Sequence, residues 1–295
     1  MKVAIIGANG QLGTDLVAAF SGSGDVVHGL THADIEVSNL DSVSRALGEL
    51  RPDLVVNTAA MHHVENCERQ PEQAMATNAI GARNLALASR SIDSVLMHVS
   101  TDYVFDGGKG APYVEDDNPR PLNAYGISKL AGEHFVRATM ERHFVVRTSG
   151  LYGKNPCRAK GGLNFIELML KLARERGEVR VVDSEFVTPT STAELAQQMV
   201  RLSRSDRYGL YHATAEGSCS WFEFAREIFT LTSSNVQLRV AGANEFPAKV
   251  PRPTYSVLEN QALKRQGLNV FRTWKAGLQE YLGDRIASAS LQVSP

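Results

Sequence analysis

Lys2-Val-Ala-Ile-Ile-Gly-Ala-Asn-Gly-Gln-Leu-Gly13 is the stretch that decides the fold. Its run from Lys2 to Ile6 reads as a strand, and a helical pattern opens at Gln11. Gly7 permits the tight turn between them, Gly10 lets backbone approach a pyrophosphate, and Gly13 allows the helix to close on the sheet. The N–H groups of the new helix then face an anion. Glycines at such intervals also serve ordinary turns; their place directly between a first strand and a first helix is what points to a bound dinucleotide.

Apolar runs recur at Val26–Leu30, Leu54–Asn57, Val95–Ser100 and Phe144–Thr148. They alternate with helical periodicity over Gln11–Phe20, Leu40–Leu50, Gln70–Arg90 and Ala124–Arg142. Strands this apolar, separated by one helix each, need both sheet faces covered. The expected fold class is α/β: a doubly wound parallel Rossmann-type sheet, with residues 1–150 as an NAD(P)-binding domain. Beyond Ser149 the elements become shorter and mixed. Helices are expected at Asn164–Arg176, Thr192–Ser203, Trp221–Leu231 and Thr273–Leu282, and strands at Val179–Val182, Gly209–Ala213 and Val236–Val240. These make residues 151–295 mainly a smaller α/β substrate-binding domain, with segments near 184–214 returning to the first sheet. A Pro-rich loop is expected at Pro247–Pro253 and a frayed tail after Arg285.

Composition narrows the function classes. The chain has 295 residues, 43% hydrophobic and 21% charged, an ordinary globular mixture. Its 31 Lys+Arg against 32 Asp+Glu leave a charge of −1, which argues against nucleic acid as a partner. The longest apolar stretches fall far short of the ~18 residues of a membrane span. Met1-Lys2 leads straight into a strand rather than a signal sequence, so no membrane partner and a cytoplasmic location are expected. Cys67, Cys157 and Cys219 form no CxxC pair and leave an odd count, which suits reduced thiols.

Tyr125-Gly-Ile-Ser-Lys129 carries the chemistry. Residues four apart share a helix face, so phenol and ammonium can address one reacting site. A nearby Lys129 cation, with the helix dipole, is expected to lower the Tyr125 pKa and let it exchange a proton with a substrate oxygen. Thr101, 24 residues earlier in His98–Phe105, ends a strand, where its hydroxyl can donate to the same oxygen. Asn57-Thr-Ala-Ala-Met61 ends another strand with small residues, suited either to a flat adenine or ribose or to tight packing. The second strand's end, Gly29-Leu-Thr-His-Ala-Asp34, has no clear acid or arginine, so NADPH and NADH both stay open.

Glycine turn, strand-end threonine and YxxxK in this order resemble an extended short-chain dehydrogenase/reductase. STDYVFDG at Ser100–Gly107, PLNAYGISKLAGE at Pro121–Glu133 and RTSGLYG at Arg147–Gly153 resemble the dTDP-4-dehydrorhamnose reductase family. The likeness continues through NFIELML, FVTPTST, GLYHATAEG and PRPTYSVLEN, from Asn164 to Asn260. The resemblance implies reduction of the C4 ketone of a nucleotide-linked 4-keto-6-deoxyhexose, most specifically dTDP-4-dehydrorhamnose to dTDP-L-rhamnose. By it Tyr125 is the proton donor, Lys129 orients the nicotinamide ribose, and Thr101 with Asp102 contacts the sugar. It also implies cofactor contacts at Gly10, Gln11 and Leu12, at Ala59, Ala60 and Met61, and at Glu36 and Val37 near the adenine, besides Gly7 and Gly13. The family commonly has Trp against the substrate where this chain has Gly150, so an aromatic wall is expected to be missing. Relatives imply a monomer or homodimer, in some linked to Mg²⁺.

Other chemistries fit less well. A sugar-nucleotide dehydratase needs an Asp-Glu pair after the threonine, and here Asp102 is followed by Tyr103. A 4-epimerase could use the same Tyr and Lys. A non-catalytic dinucleotide-binding regulator, resembling the β subunit of methionine adenosyltransferase, would not need the intact Thr101, Tyr125 and Lys129. His62, His63, Glu65 and Glu68 lack metal-ligand spacing and read as a polar loop at the site's edge; no metal is expected. Gly107–Gly110 reads as a mobile flap, and Trp221 as core or as a stacking platform. Arg252 is a candidate for the substrate's diphosphate. Residues 1–150 carry a charge of −6 and 151–295 one of +5, which puts basic charge on the half expected to receive that diphosphate.

Overall fold

The computed structural model describes residues 1–156, 161–242, 245 and 249–291; Cys157 and part of the Pro247–Pro253 loop lie outside them. In chain order the first half runs β1 (Lys2–Ile6), α1 (Gln11–Gly22), β2 (Val26–Leu30), α2 (Leu40–Leu50), β3 (Leu54–Asn57), α3 (Val64–Arg69), α4 (Pro71–Met75), α5 (Gly81–Ser91), β4 (Val95–Thr101), α6 (Ala124–Thr139) and β5 (His143–Thr148). The second half runs β6 (Leu151–Tyr152), α7 (Phe165–Glu175), β7 (Glu178–Val181), β8 (Phe186–Val187), β9 (Thr190–Ser191), α8 (Thr192–Ser203), β10 (Gly209–His212), β11 (Cys219–Ser220), α9 (Trp221–Leu231), β12 (Gln237–Val240), α10 (Gln261–Arg265) and α11 (Trp274–Leu291).

Six strands form one sheet in the order β2-β1-β3-β4-β5-β10, all parallel. The alternation of side chains along a strand divides its core in two. Val3 and Ile5 of β1 join Leu54, Val56, Phe144 and Val146 under α1 and α8, while Ala4 and Ile6 join Val55, Leu96 and Val145 under α2, α5 and α6. Strand order reverses between β1 and β3, which opens a crevice at their carboxyl ends. β10, far along the chain, completes the sheet at β5, and α8 covers the α1 face.

A second core is built apart from the sheet by Tyr152, Ile166, Phe224, Ile228, Trp274, Leu278 and Tyr281, with β7 and β12 paired in parallel beside it. There the half-buried Trp221 packs against this core, its ring tilted toward Phe165 at 4.6 Å between centroids. Two details depart from expectation. The helix expected over Gln70–Arg90 is α4 and α5 joined by a π turn at Ala76–Ile80. The last helix continues past Arg285 to Leu291. No helix among the described residues is long and apolar enough to cross a membrane.

Candidate active site

The glycine turn has the geometry its sequence requires. Gly7 adopts a φ of +81°, and a Cβ on Gly13 would lie 2.1 Å from the Gly7 carbonyl oxygen, so only glycine allows α1 to start this close to the turn. Gly10 caps α1 with no side chain, which leaves the first-turn N–H groups without a side-chain acceptor and fits them to a pyrophosphate. The Gln11 amide donates to Gly153 O (3.4 Å) and Asn155 O (3.0 Å), roofing that turn with the chain after β6, and Leu12 points into the core.

Across the crevice, Ala59, Ala60 and Met61 follow β3. Met61 is fixed by Asn78 of the π turn, whose carbonyl accepts its N–H (2.8 Å) and whose amide donates to its oxygen (2.9 Å) and to Ser128 Oγ (2.9 Å). The π turn thus aims one buried amide at both walls of the site, a common use of such turns. Glu36 and Val37 lie beyond β2: Val37 is buried, and Glu36 accepts from the Ser38 backbone and hydroxyl, which lower its pKa. Asp34 is turned back on the N–H and hydroxyl of Thr31.

α6 carries Tyr125 and Lys129. Asn123 caps it by accepting the Gly126 N–H (3.0 Å) and donates to Pro251 O (2.9 Å). A Cβ on Gly126 would stand 2.2 Å from the Tyr103 carbonyl oxygen. Its absence brings Tyr125 within hydrogen-bonding reach of Thr101, with the Tyr103 ring edge-on at 5.7 Å. Lys129, almost fully buried, donates to Val99 O (2.7 Å) and lies 3.4 Å from His98 Nε2.

Lys129 was to lower the Tyr125 pKa, but burial raises it, and the neighbouring Asp102 acts in the same direction. Burial also brings Lys129 down to about 8 against the pull of Glu133. Desolvation is the largest influence on both groups.

Next to Thr101, Asp102 is buried and accepts from Thr101 (3.0 Å), Ser149 (2.8 Å) and Ser256, while burial raises its pKa. Gly150 has a φ of +58°, and a Cβ there would meet the Thr188 oxygen at 2.9 Å and Pro189 Cα at 3.0 Å. Gly150 thus sits in a left-handed turn closed against Thr188–Pro189. Arg252 pairs with Glu65, which His63 also faces at 3.3 Å. In the Gly107–Gly110 segment, Lys109 bonds Pro112 O (2.9 Å) and Asp117 (2.5 Å). Among the described residues no group of three or more His, Cys, Asp or Glu is placed to hold a metal ion.

The sequence missed the polar residues behind this site. Glu133 and Arg147, each 1% exposed, form a two-pronged ion pair (2.9 and 2.7 Å), joined by Ser100 Oγ at 2.5 Å. Glu133 follows Lys129 by four residues, a spacing that could have revealed it.

A family model described as the RmlD substrate binding domain matches residues 1–286. The chain belongs to the dTDP-4-dehydrorhamnose reductase family. It is 39% identical over 284 residues to the spore coat polysaccharide biosynthesis protein SpsK of Bacillus subtilis, covering 96% of this chain and 98% of that one. A solved dTDP-4-dehydrorhamnose reductase from Clostridium acetobutylicum superposes with a TM-score of 0.91 at 39% identity, over 96% of this chain and 99% of the other. The Bacillus anthracis dTDP-4-dehydrorhamnose reductase, solved in complex with NADP, gives a TM-score of 0.91 at 37% identity with the same coverage. In this reductase family the chain's glycine turn, Thr101 and the Tyr125/Lys129 pair all lie at the carboxyl edge of one sheet.

Proposed function

We propose that the protein is an oxidoreductase that reduces the C4 ketone of a nucleotide-linked 4-keto-6-deoxyhexose, dTDP-4-dehydrorhamnose to dTDP-L-rhamnose, with NADPH or NADH. The observation that carries this is the convergence of Thr101, Tyr125 and Lys129 beside the crevice that the glycine turn opens. When bound, the nicotinamide supplies the hydride. The first turn of α1 binds its pyrophosphate, with Gly7, Gly10, Gln11, Leu12 and Gly13 shaping the approach. Ala59, Ala60 and Met61 line the opposite wall, and Glu36 and Val37 the adenine side. NADPH is favoured, because Asp34, the first acid after β2, is held by Thr31, and the Bacillus anthracis relative was solved with NADP.

Burial keeps the Tyr125 phenol protonated near neutral pH, which suits a donor that protonates the C4 oxygen as the ketone is reduced. The Thr101 hydroxyl, turning its proton from Asp102 to that oxygen, polarises it, and the Lys129 ammonium holds the ribose. Asp102 orients Thr101, Gly150 borders the sugar, and Arg252, exchanging Glu65, meets the diphosphate. A cytoplasmic enzyme acting as a monomer or homodimer fits this reading; Cys67 and Cys219 are buried free thiols.

The test is loss of NAD(P)H absorbance with a dTDP-4-keto-6-deoxy sugar. Tyr125→Phe should abolish most turnover while cofactor still binds. Wild-type protein that binds cofactor without turnover would favour a regulator, and unaltered turnover in Tyr125→Phe would overturn the mechanism.

A further inference from the structure

Between the cofactor wall and α6 runs a buried polar file that the proposed chemistry does not use. Asn57 ends β3, His98 lies within β4, and Lys129 reaches down from α6; all are at most 3% exposed. The Asn57 carbonyl accepts the Ala59 N–H at 3.0 Å. That bond fixes which way the amide faces, so its NH₂ is the group 3.0 Å from His98 Nδ1. Nδ1 must then accept, and the neutral ring carries its proton on Nε2, which lies 3.4 Å from Lys129 Nζ.

An imidazole N–H facing an ammonium sets donor against donor. Facing a neutral amine, it makes a hydrogen bond. We infer that Asn57 and His98 are positioning residues for Lys129: the amide sets the imidazole tautomer, and the Nε2–H aimed at Nζ favours release of the lysine proton. The inference rests on the role given to Lys129 above.

Glu133 opposes that release, but its carboxylate is already shared. Around Nζ are His98 and the Val99 carbonyl from β4, with Glu133 one turn later on α6. The Glu133 carboxylate, which would hold the ammonium, is already taken by Arg147 from β5 and Ser100 from β4. His98 stays neutral through burial and the nearby Lys129. Asn57 also bonds the segment that leads into Ala59, Ala60 and Met61, so the cofactor wall and the lysine share one fixed amide.

Nitrogen NMR of the histidine rings in the cofactor-free protein should show His98 as the Nε2–H tautomer, and a lysine titration should give Lys129 a midpoint well below ordinary lysines. Asn57→Asp favours Nδ1–H and turns Nε2 into an acceptor, so the midpoint should rise by about one pH unit. His98→Phe removes the Nε2–H without adding charge. Its midpoint should also rise, whereas a histidine that served only as apolar filling would leave it unchanged or lower. The alkaline limb of kcat/KM should follow the same order. An Nδ1–H tautomer in the wild type, or a midpoint that fails to rise in His98→Phe, overturns the inference; if a variant does not fold, the wild-type tautomer decides. None of the NMR arms needs cofactor or substrate, so absent reductase turnover would sink the functional reading and leave this one standing.

Discussion

Two interiors of the molecule are built from opposite materials. Beneath α6 the sheet encloses Lys129, Glu133, Arg147, His98 and His212, all almost fully buried, with the Arg147 guanidinium 5.2 Å from the Phe105 ring. The second core encloses rings: Tyr152, Phe224 and Tyr281 pack at 5.4 to 5.9 Å, with Phe165 and Trp274 against Phe224. Aromatic burial stabilises roughly in proportion to the area removed from water. Buried ions gain little over apolar side chains of the same shape, because desolvation offsets their attraction. The contrast teaches that the sheet core gives up stability to fix the groups behind Tyr125 and Lys129, while the ring core holds its domain together and leaves chemistry to its edge.

That division can be broken from either side. The largest effect should come from Tyr125→Phe: a fall in kcat of about 10²–10⁴, with the melting temperature nearly unchanged. Next, Arg147→Met strands the Glu133 charge and should cost about 3–5 kcal/mol in denaturant unfolding; turnover per folded molecule should fall with it, as α6 loses its anchor. Phe224→Ala should cost a similar ~3–5 kcal/mol through its cavity, yet leave turnover per folded molecule close to wild type. If the two variants lost activity equally, the contrast would be false.

Smaller effects sharpen it. Burial and the neighbouring Arg147 hold His212 at about 3, below its ordinary 6.5. The folded state therefore binds fewer protons than the unfolded one, and the contribution present above pH 6.5 is lost as pH falls toward 3. Between pH 6.5 and 5 this amounts to about 2 kcal/mol, and His212→Gln should flatten that part of the stability profile relative to wild type. The smallest change is expected in Gly150→Ala, which should lose about 1–2 kcal/mol from its left-handed backbone and the Thr188 contact. A stabilised Gly150→Ala would show that the turn can relax and make room for a larger residue.

Much of this architecture was legible because it rests on local patterns. β1, β2 and β3, together with α2, α8 and α9, have the ends expected from apolar runs and helical periods. Gly7 and Gly13 announced a turn that no other residue fits, and the four-residue spacing put Tyr125 and Lys129 on one helix. Short pairs such as β8 with β11 and β6 with β9 were not legible: two-residue strands carry no period, and their partners lie far along the chain. The π turn was invisible for a related reason, since Asn78 is drawn out of register by Met61 and Ser128, which belong to other elements.

The sequence by itself determined the doubly wound sheet, the dinucleotide turn and the Thr101, Tyr125 and Lys129 set, because hydrophobic period, glycine and helical spacing act over a few residues. Only the tertiary structure decided the proton affinities of those residues, since burial and not the lysine next to it governs Tyr125. It alone joined Asn57, His98 and Lys129 from three elements, and it alone showed Gly150 closed against Thr188. Desolvation and close contact depend on everything that packs around a group, and a linear chain does not record its own surroundings.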